Sequence, residues 1–262
     1  MRPSTSASKR IIFITGTDTG VGKTVLTALL LHHLRAGQGV PPTHKLSAKF
    51  QPPNSPPRPL IALAIKPFCS GSRADVRLLQ SFQPGELTDD EANPFYFREP
   101  VAPLVALRKL RRKIALKEVF QHIESVKKRC DCLLIEGSGG LLVPLAETFT
   151  VADLIAQLNA QNTTFQVIVV ARNRLGTINH TLLTVRHLQS IGITVLAIAL
   201  ISQKKPDFPG ASNPKILAEM LRPIPVVLVP FLGSNVSRAE ALKNNYKKVK
   251  KTLARLLELG NL

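Results

Sequence analysis

The segment that most limits what this chain can become is Gly16-Thr17-Asp18-Thr19-Gly20-Val21-Gly22-Lys23-Thr24. Ahead of it runs Ile11-Ile12-Phe13-Ile14-Thr15, an apolar, β-branched stretch that predicts a buried strand. Behind it, Thr24 to Arg35 carries a helical apolar pattern that Gly37 and Gly39 bring to an end. A glycine-containing loop between a strand and a helix turns successive backbone N–H groups toward one point, and the helix N-terminus adds positive potential there. Such a point binds phosphate. Lys23 is expected to reach the β- and γ-phosphates and the Thr24 hydroxyl to ligate Mg²⁺. Five residues separate Gly16 from Gly22 where the usual pattern has four, so Thr17 holds the place of its first glycine.

The remaining chain keeps the same rhythm. Strands are expected at Leu60–Lys66, Cys132–Glu136, Gln166–Ala171, Ile193–Ile201 and Pro225–Val229. Helices are expected at Ala74–Gln80, Ile114–Lys128, Val151–Ala160, Ile178–Ser190, Pro214–Leu221 and Ser237–Leu259. Alternation of this kind gives an α/β fold: a P-loop NTPase-like parallel sheet with helices on both faces, in a single domain. Residues 1–10 read as a disordered N-terminal tail and 11–262 as the domain. Its one interruption is 41–59, where seven of nineteen residues are proline, which excludes helix or central strand and predicts an exposed insert.

Ligands in such sheets sit at the carboxyl ends of strands, and three further groups fall there. Lys66 closes Ile65-Lys66-Pro67-Phe68-Cys69-Ser70-Gly71, pointing a compact positive charge into the cleft with the Ser70 hydroxyl close by. Asp75 follows shortly after. Glu136 closes Leu133-Leu134-Ile135-Glu136-Gly137-Ser138-Gly139-Gly140. A carboxylate directly after a buried apolar strand is costly unless partnered. Mg²⁺ takes one or two carboxylates together with phosphate oxygens, so Thr24, Asp75 and Glu136 form a candidate metal set.

Composition narrows the partners. The formal net charge is +18, concentrated at 108–113, at 127–129 and at lysines 243, 247, 248, 250 and 251. No zinc-finger spacing or RNA-binding aromatic motif accompanies these runs, so they read as solvated helix faces and nucleic acid is not the expected partner. No apolar run approaches the roughly 18 residues of a transmembrane helix. Cys69, Cys130 and Cys132 match neither a disulfide framework nor a zinc site, which suits reduced thiols in a cytoplasmic protein.

Taken together, these motifs resemble the dethiobiotin synthetase family. The resemblance rests on Thr15 to Thr24, Lys66-Pro67 with Ser70-Gly71, Asn93-Pro94 with Glu99-Pro100 and Ala102-Pro103, Glu136 to Gly140, and Leu175-Gly176-Thr177-Ile178-Asn179-His180-Thr181-Leu182-Leu183-Thr184. It runs from about residue 11 to about residue 232. It implies an ATP- and Mg²⁺-dependent ligase that forms the ureido ring of dethiobiotin from 7,8-diaminopelargonic acid and CO₂, releasing ADP and phosphate. Carried over, it implies catalytic roles for Lys23, Lys66 and Thr19. It implies nucleotide binding by Gly20, Val21, Gly22, Lys23, Thr24 and Val25, by Asp75, Glu136, Gly137, Ser138 and Gly139, and by Pro230, Phe231 and Leu232 as an adenine-contacting loop. Substrate would be held by Thr19 and Ser70, and by Asn179 reaching across from the partner subunit of a homodimer whose sites lie at the interface.

Some positions depart from the family pattern. Gly20 stands where some members have Glu, Leu104 replaces a common His, and Ser237 an acidic residue. Ile201 and Ser202 fall where an adenine-reading Asn is expected, which puts base selectivity in question. Two other readings stand beside this one. One is a switch ATPase of the partitioning or septum-site type acting on DNA or membrane, which the charge would suit but which usually carries an extra early lysine where Thr17 and Asp18 stand. The other is an inactive nucleotide-binding paralogue.

Overall fold

Alternating apolar side chains in the first strand divide the molecule into two cores. Ile11 and Phe13 point to one side of the sheet and Ile12 and Ile14 to the other, and all four are buried. The computed structural model describes residues 9–36, 60–205 and 207–258. The proline-rich insert expected at 41–59 and all but the last two residues of the expected N-terminal tail lie outside the described residues.

Strand β1 (Arg10–Gly16) is central in a six-stranded sheet with β2 (Ala62–Ile65), β5 (Cys132–Glu136), β8 (Phe165–Arg172), β9 (Val195–Ile201) and β10 (Val226–Val229). Their order is β10-β9-β8-β1-β5-β2, and every pairing is parallel. β1 opens at Arg10, a position the sequence reading left in the tail, because the Arg10 guanidinium is held inside by Gln166 and by the Leu257 carbonyl. Such strands are apolar throughout because helices cover both faces.

One face is covered by α1 (Lys23–Arg35), α9 (Ala239–Glu258) and the inner residues Leu78 and Leu79 of α2 (Ala74–Gln80). The other face is covered by α5 (Leu116–Lys127), α6 (Val151–Gln161), α7 (Thr177–Ser190) and α8 (Asn213–Met220). The expected single α/β domain with helices on both faces is what forms. The three cysteines are buried and free. Burial pushes the Cys130 and Cys132 thiols up to about 12, which makes them poor nucleophiles.

Between β2 and β5 the chain adds short pieces that periodicity did not reveal: β3 (Phe68–Ser70), α3 (Asp89–Ala92), β4 (Phe95–Phe97) and α4 (Pro103–Lys109). After β5 come β6 (Pro144–Ala146) and β7 (Phe149–Thr150), a small antiparallel pair. Pieces of two to seven residues are too short to display a clear hydrophobic period. The basic run 108–113 is also not the helix face it was expected to be. α4 ends at Lys109 and Arg111 takes a positive φ of 52°, so the run turns, with Arg108 paired to Glu147 and Lys109 to Glu99.

Among the described residues no seventh strand pairs with the outer edge of β2, yet its polar groups are met. The carboxamide of fully buried Gln83 accepts from the Ala64 N–H and donates to the Ala64 carbonyl, both at 2.8 Å. Arg35 donates to the Ala62 carbonyl at 3.1 Å. Replacing Gln83 with Leu keeps the bulk but strands a donor and an acceptor in the interior. We expect Gln83→Leu to lower the unfolding free energy by about 2–4 kcal/mol, read as a fall in the urea midpoint at unchanged slope; an unshifted midpoint would show that water replaces the carboxamide.

Candidate active site

Strand register decides which side chains can meet. Ile14 of β1 lies beside Glu136 of β5, and Ile65 of β2 beside Ile135. Lys66 is therefore delivered next to Glu136, both at the carboxyl edge where the Gly16–Thr24 loop leaves β1. The cis-proline-free turn after Lys66 is fixed by buried Asn93, whose Nδ2 donates to the carbonyls of Lys66 at 2.8 Å and Pro67 at 3.2 Å.

The loop needs its glycines. Gly22, at the N-cap of α1, has φ 107°, a region that favours glycine, and a Cβ there would lie 3.3 Å from Ile201. A Cβ on Gly16 would come within 2.8 Å of Val21 and 3.0 Å of the Lys23 ammonium. Across the site, a Cβ on Gly140 would lie 3.6 Å from the carbonyl oxygens of Gly16 and Thr17. The two loops thus close on each other, and Lys23 ties them: its Nζ donates to the Asp18 and Gly139 carbonyls, each at 2.8 Å.

Glu136 is 1% exposed. Its Oε1 accepts from the Thr24 hydroxyl at 2.7 Å and from the Lys66 ammonium at 2.8 Å. Lys66 also donates to Asp75 Oδ2. Burial on its own would lower the Lys66 pKa, but Glu136 and then Asp75 outweigh it and hold the group above the ordinary lysine value. Lys23 goes the other way: burial pulls it down to about 8, with Glu136 opposing the fall and Lys66 adding to it.

This set fits a hard divalent cation. Glu136 Oε2 is buried without a partner, an acceptor left open beside the Thr24 hydroxyl. Thr24, Asp75 and Glu136 offer only oxygen, the donor type Mg²⁺ takes, and few enough to leave room for phosphate oxygens and water. Ser70, at the end of β3, also has a buried hydroxyl without a partner, facing no strand neighbour that could use it.

The remaining expected residues divide into two groups. Gly20, Val21, Gly22 and Val25 line one cleft of about 250 Å³ together with Pro230, Phe231 and Leu232, so the two stretches expected to hold nucleotide share a wall. Ile201 and Ser202 line it as well. Thr19 is exposed at the tip of the loop, its side-chain oxygen 3.5 Å from where a Gly139 Cβ would be. Ser138 and Gly139 stand half-exposed opposite it. Asn179 is not brought in: it sits exposed in the first turn of α7, and among the described residues no hydrogen bond joins it to the cluster.

Sequence reading passed over Arg172 and Gln203, which also line the cleft. Arg172 ends an apolar strand with a charge, the same signal that drew attention to Lys66 and Glu136. Gln203 lies in a polar stretch without any such contrast.

The electrostatics give a graded expectation. Glu136→Gln preserves shape but leaves the Lys66 ammonium without its buried counter-charge, and should lower the unfolding free energy by about 3 kcal/mol. The Asp75 side chain is 46% exposed, so Asp75→Asn should cost below about 1 kcal/mol. Equal losses in denaturant melts of the two variants would overturn the ranking.

Comparison with known proteins adds a second line of information. A family model described as an AAA domain matches residues 61–243. The ATP-dependent dethiobiotin synthetase BioD of Bacillus licheniformis is 35% identical over 230 residues, covering 84% of this chain and 83% of its own. The protein of the same name from Bacillus subtilis strain 168 is 33% identical over 242 residues, covering 89% and 92%. Among solved structures, pNOB8 ParA bound to nonspecific DNA aligns with TM-score 0.51 at 12% identity, over 95% of this chain and 99% of that one. The septum site-determining protein MinD of Pyrococcus horikoshii OT3, complexed with Mg-ADP, aligns with TM-score 0.50 at 16% identity, over 96% and 94%. At such identities the likeness to these two is one of fold alone.

Proposed function

As the chain belongs to the dethiobiotin synthetase family, we propose that it is an ATP-dependent ligase that closes the ureido ring of dethiobiotin on 7,8-diaminopelargonic acid and CO₂. The observation that carries this reading is the buried Lys66–Glu136–Thr24 cluster at the foot of the phosphate loop. In the proposed reaction one substrate amine adds to CO₂ and loses a proton, giving a carbamate. A carbamate oxygen takes the γ-phosphoryl group, leaving ADP. The second amine attacks the carbamoyl carbon and loses a proton, the ring closes, and the C–O bond to phosphate breaks, releasing inorganic phosphate.

The carbamate, the transferring phosphoryl group and the released phosphate are anionic, so the protein's task is to position negative charges and stabilise them. Lys23, at the mouth of α1, attends the β- and γ-phosphates. Lys66 attends the carbamate. Thr19 and Ser70 supply hydroxyls to the substrate, and the open Ser70 Oγ supports that role. Thr24, Asp75 and Glu136 would hold Mg²⁺, which neutralises phosphate charge when bound. No side chain needs to bond covalently to an intermediate.

The reading includes a cytoplasmic homodimer in which Asn179 binds the substrate carboxylate of the partner's site. Asn179 and Leu183 are four residues apart on one face of α7, and Leu183 is a largely exposed leucine. An exposed leucine beside the asparagine suits a face that another subunit covers. A partitioning or septum-site ATPase is the less favoured reading, because the relatives similar at the family level carry the synthetase name. Among the described residues no helix is long and apolar enough to cross a membrane.

The test is dethiobiotin formation from 7,8-diaminopelargonic acid and bicarbonate with Mg²⁺ and ATP, CTP or GTP in parallel. Product is expected with ATP. The end of β9 offers no asparagine to the base, so the rates with the three nucleotides should differ by no more than about tenfold. Lys23→Ala should abolish turnover. Lys66→Ala should cut turnover by at least about a hundredfold while leaving the ATP dissociation constant within about twofold. No product with any nucleotide from folded protein would overturn the reading.

A further inference from the structure

Among the described residues, Arg172 is the one charged side chain on the wall of the cleft shared by the phosphate loop and Pro230–Leu232. Among the described residues no carboxylate lines that cleft and Arg172 makes no ion pair. It is the last residue of β8, the strand beside β1, with Val170 in register with Gly16. From there its guanidinium reaches the loop, and Nη2 donates to the Gly20 carbonyl. A Cβ on Gly20, which has φ 69°, would stand 3.4 Å from that nitrogen, so the approach is close. A guanidinium carries five donors, and this contact uses one.

We propose that Arg172 is a further nucleotide-binding residue, which holds the tip of the phosphate loop through Gly20 and pairs with the α-phosphate of the bound nucleotide. The proposal rests on the reading of this cleft as the nucleotide site. Geometry favours the α-phosphate over the γ-phosphate. β1 lies between β5 and β8, and Lys23 leans toward the β5 side, where it donates to the Gly139 carbonyl and feels the charges of Glu136 and Lys66. Phosphoryl transfer belongs on that side. Arg172 stands on the β8 side, with Ser202 and Phe231 along the same wall, where the nucleoside end would lie. A guanidinium that has no ion pair among the described residues, at the edge of a mostly apolar cleft, finds its complement in an anion.

The experiment uses the full chain with Arg172→Gln and Arg172→Lys. Binding of ATP, ADP, AMP and adenosine is measured by titration calorimetry or competition, with thermal melting as the check on folding. Arg172→Gln is expected to weaken ATP, ADP and AMP by a similar factor, about tenfold or more, and to leave adenosine unchanged. Arg172→Lys should recover part of the loss. In turnover assays the KM for ATP should rise while the KM for 7,8-diaminopelargonic acid does not. The proposal is overturned if folded Arg172→Gln binds ADP within about twofold of the wild type, if only ATP is weakened, if adenosine is weakened equally, or if the wild-type chain binds none of the four. A wild-type chain that binds ADP with this Arg172 dependence but forms no dethiobiotin would leave Arg172 assigned and remove the proposed reaction instead.

Discussion

A carboxylate in the interior must be answered by a cation or by donors, and Glu136 at the end of β5 is answered by both Thr24 and Lys66. That requirement organises the surroundings. Thr24 can reach Glu136 only if α1 starts where the phosphate loop ends. Lys66 can reach it only if β2 pairs with β5 in the observed register. Asp75 then holds the far side of the ammonium from the first turn of α2. Two segments distant in sequence are locked to one Glu136 oxygen, so a slip of β2 against β5 would leave buried charges alone.

The sheet supplies the rigid frame for this. Its two faces are packed by separate sets of helices, so residues along each strand are committed alternately to one core or the other. Only where strands run out, past Thr15, Ile65, Ile135 and Ala171, can a side chain turn toward ligand. Lys66, Glu136 and Arg172 occupy those positions and are the charged residues that end otherwise apolar strands. The same edge carries the glycines whose missing side chains let the Gly16–Gly22 and Gly137–Gly140 loops come together.

Much of this was legible because the chemistry is local. The phosphate loop is a continuous stretch in which strand, glycines, lysine and threonine follow one another, and β-branched runs mark the long strands. Lys66 and Glu136 could be found by contrast, each a charge after an apolar run. Arg172 carried the same contrast and was overlooked because no motif surrounded it. The β3–β4 pair was hidden by its length, and its partners are joined only in space, with Ser70 beside Phe97. The 108–113 run looked helical by composition, but Arg111 reverses the backbone there, and charge says nothing about φ. Asn179 marks a different limit, since the role implied for it needs a second chain.

The outer edge of β2 shows what side chains can do in place of backbone. Arg35 occupies the Ala62 carbonyl and Gln83 both groups of Ala64; the Lys66 N–H goes to the Ala92 carbonyl and the Lys66 carbonyl to Asn93. An open strand edge is a template on which another chain can add and from which aggregates grow. Here the template is already used up, so this border of the sheet has nothing to offer an incoming strand, and the molecule is protected from edge-to-edge association on the side nearest its chemistry.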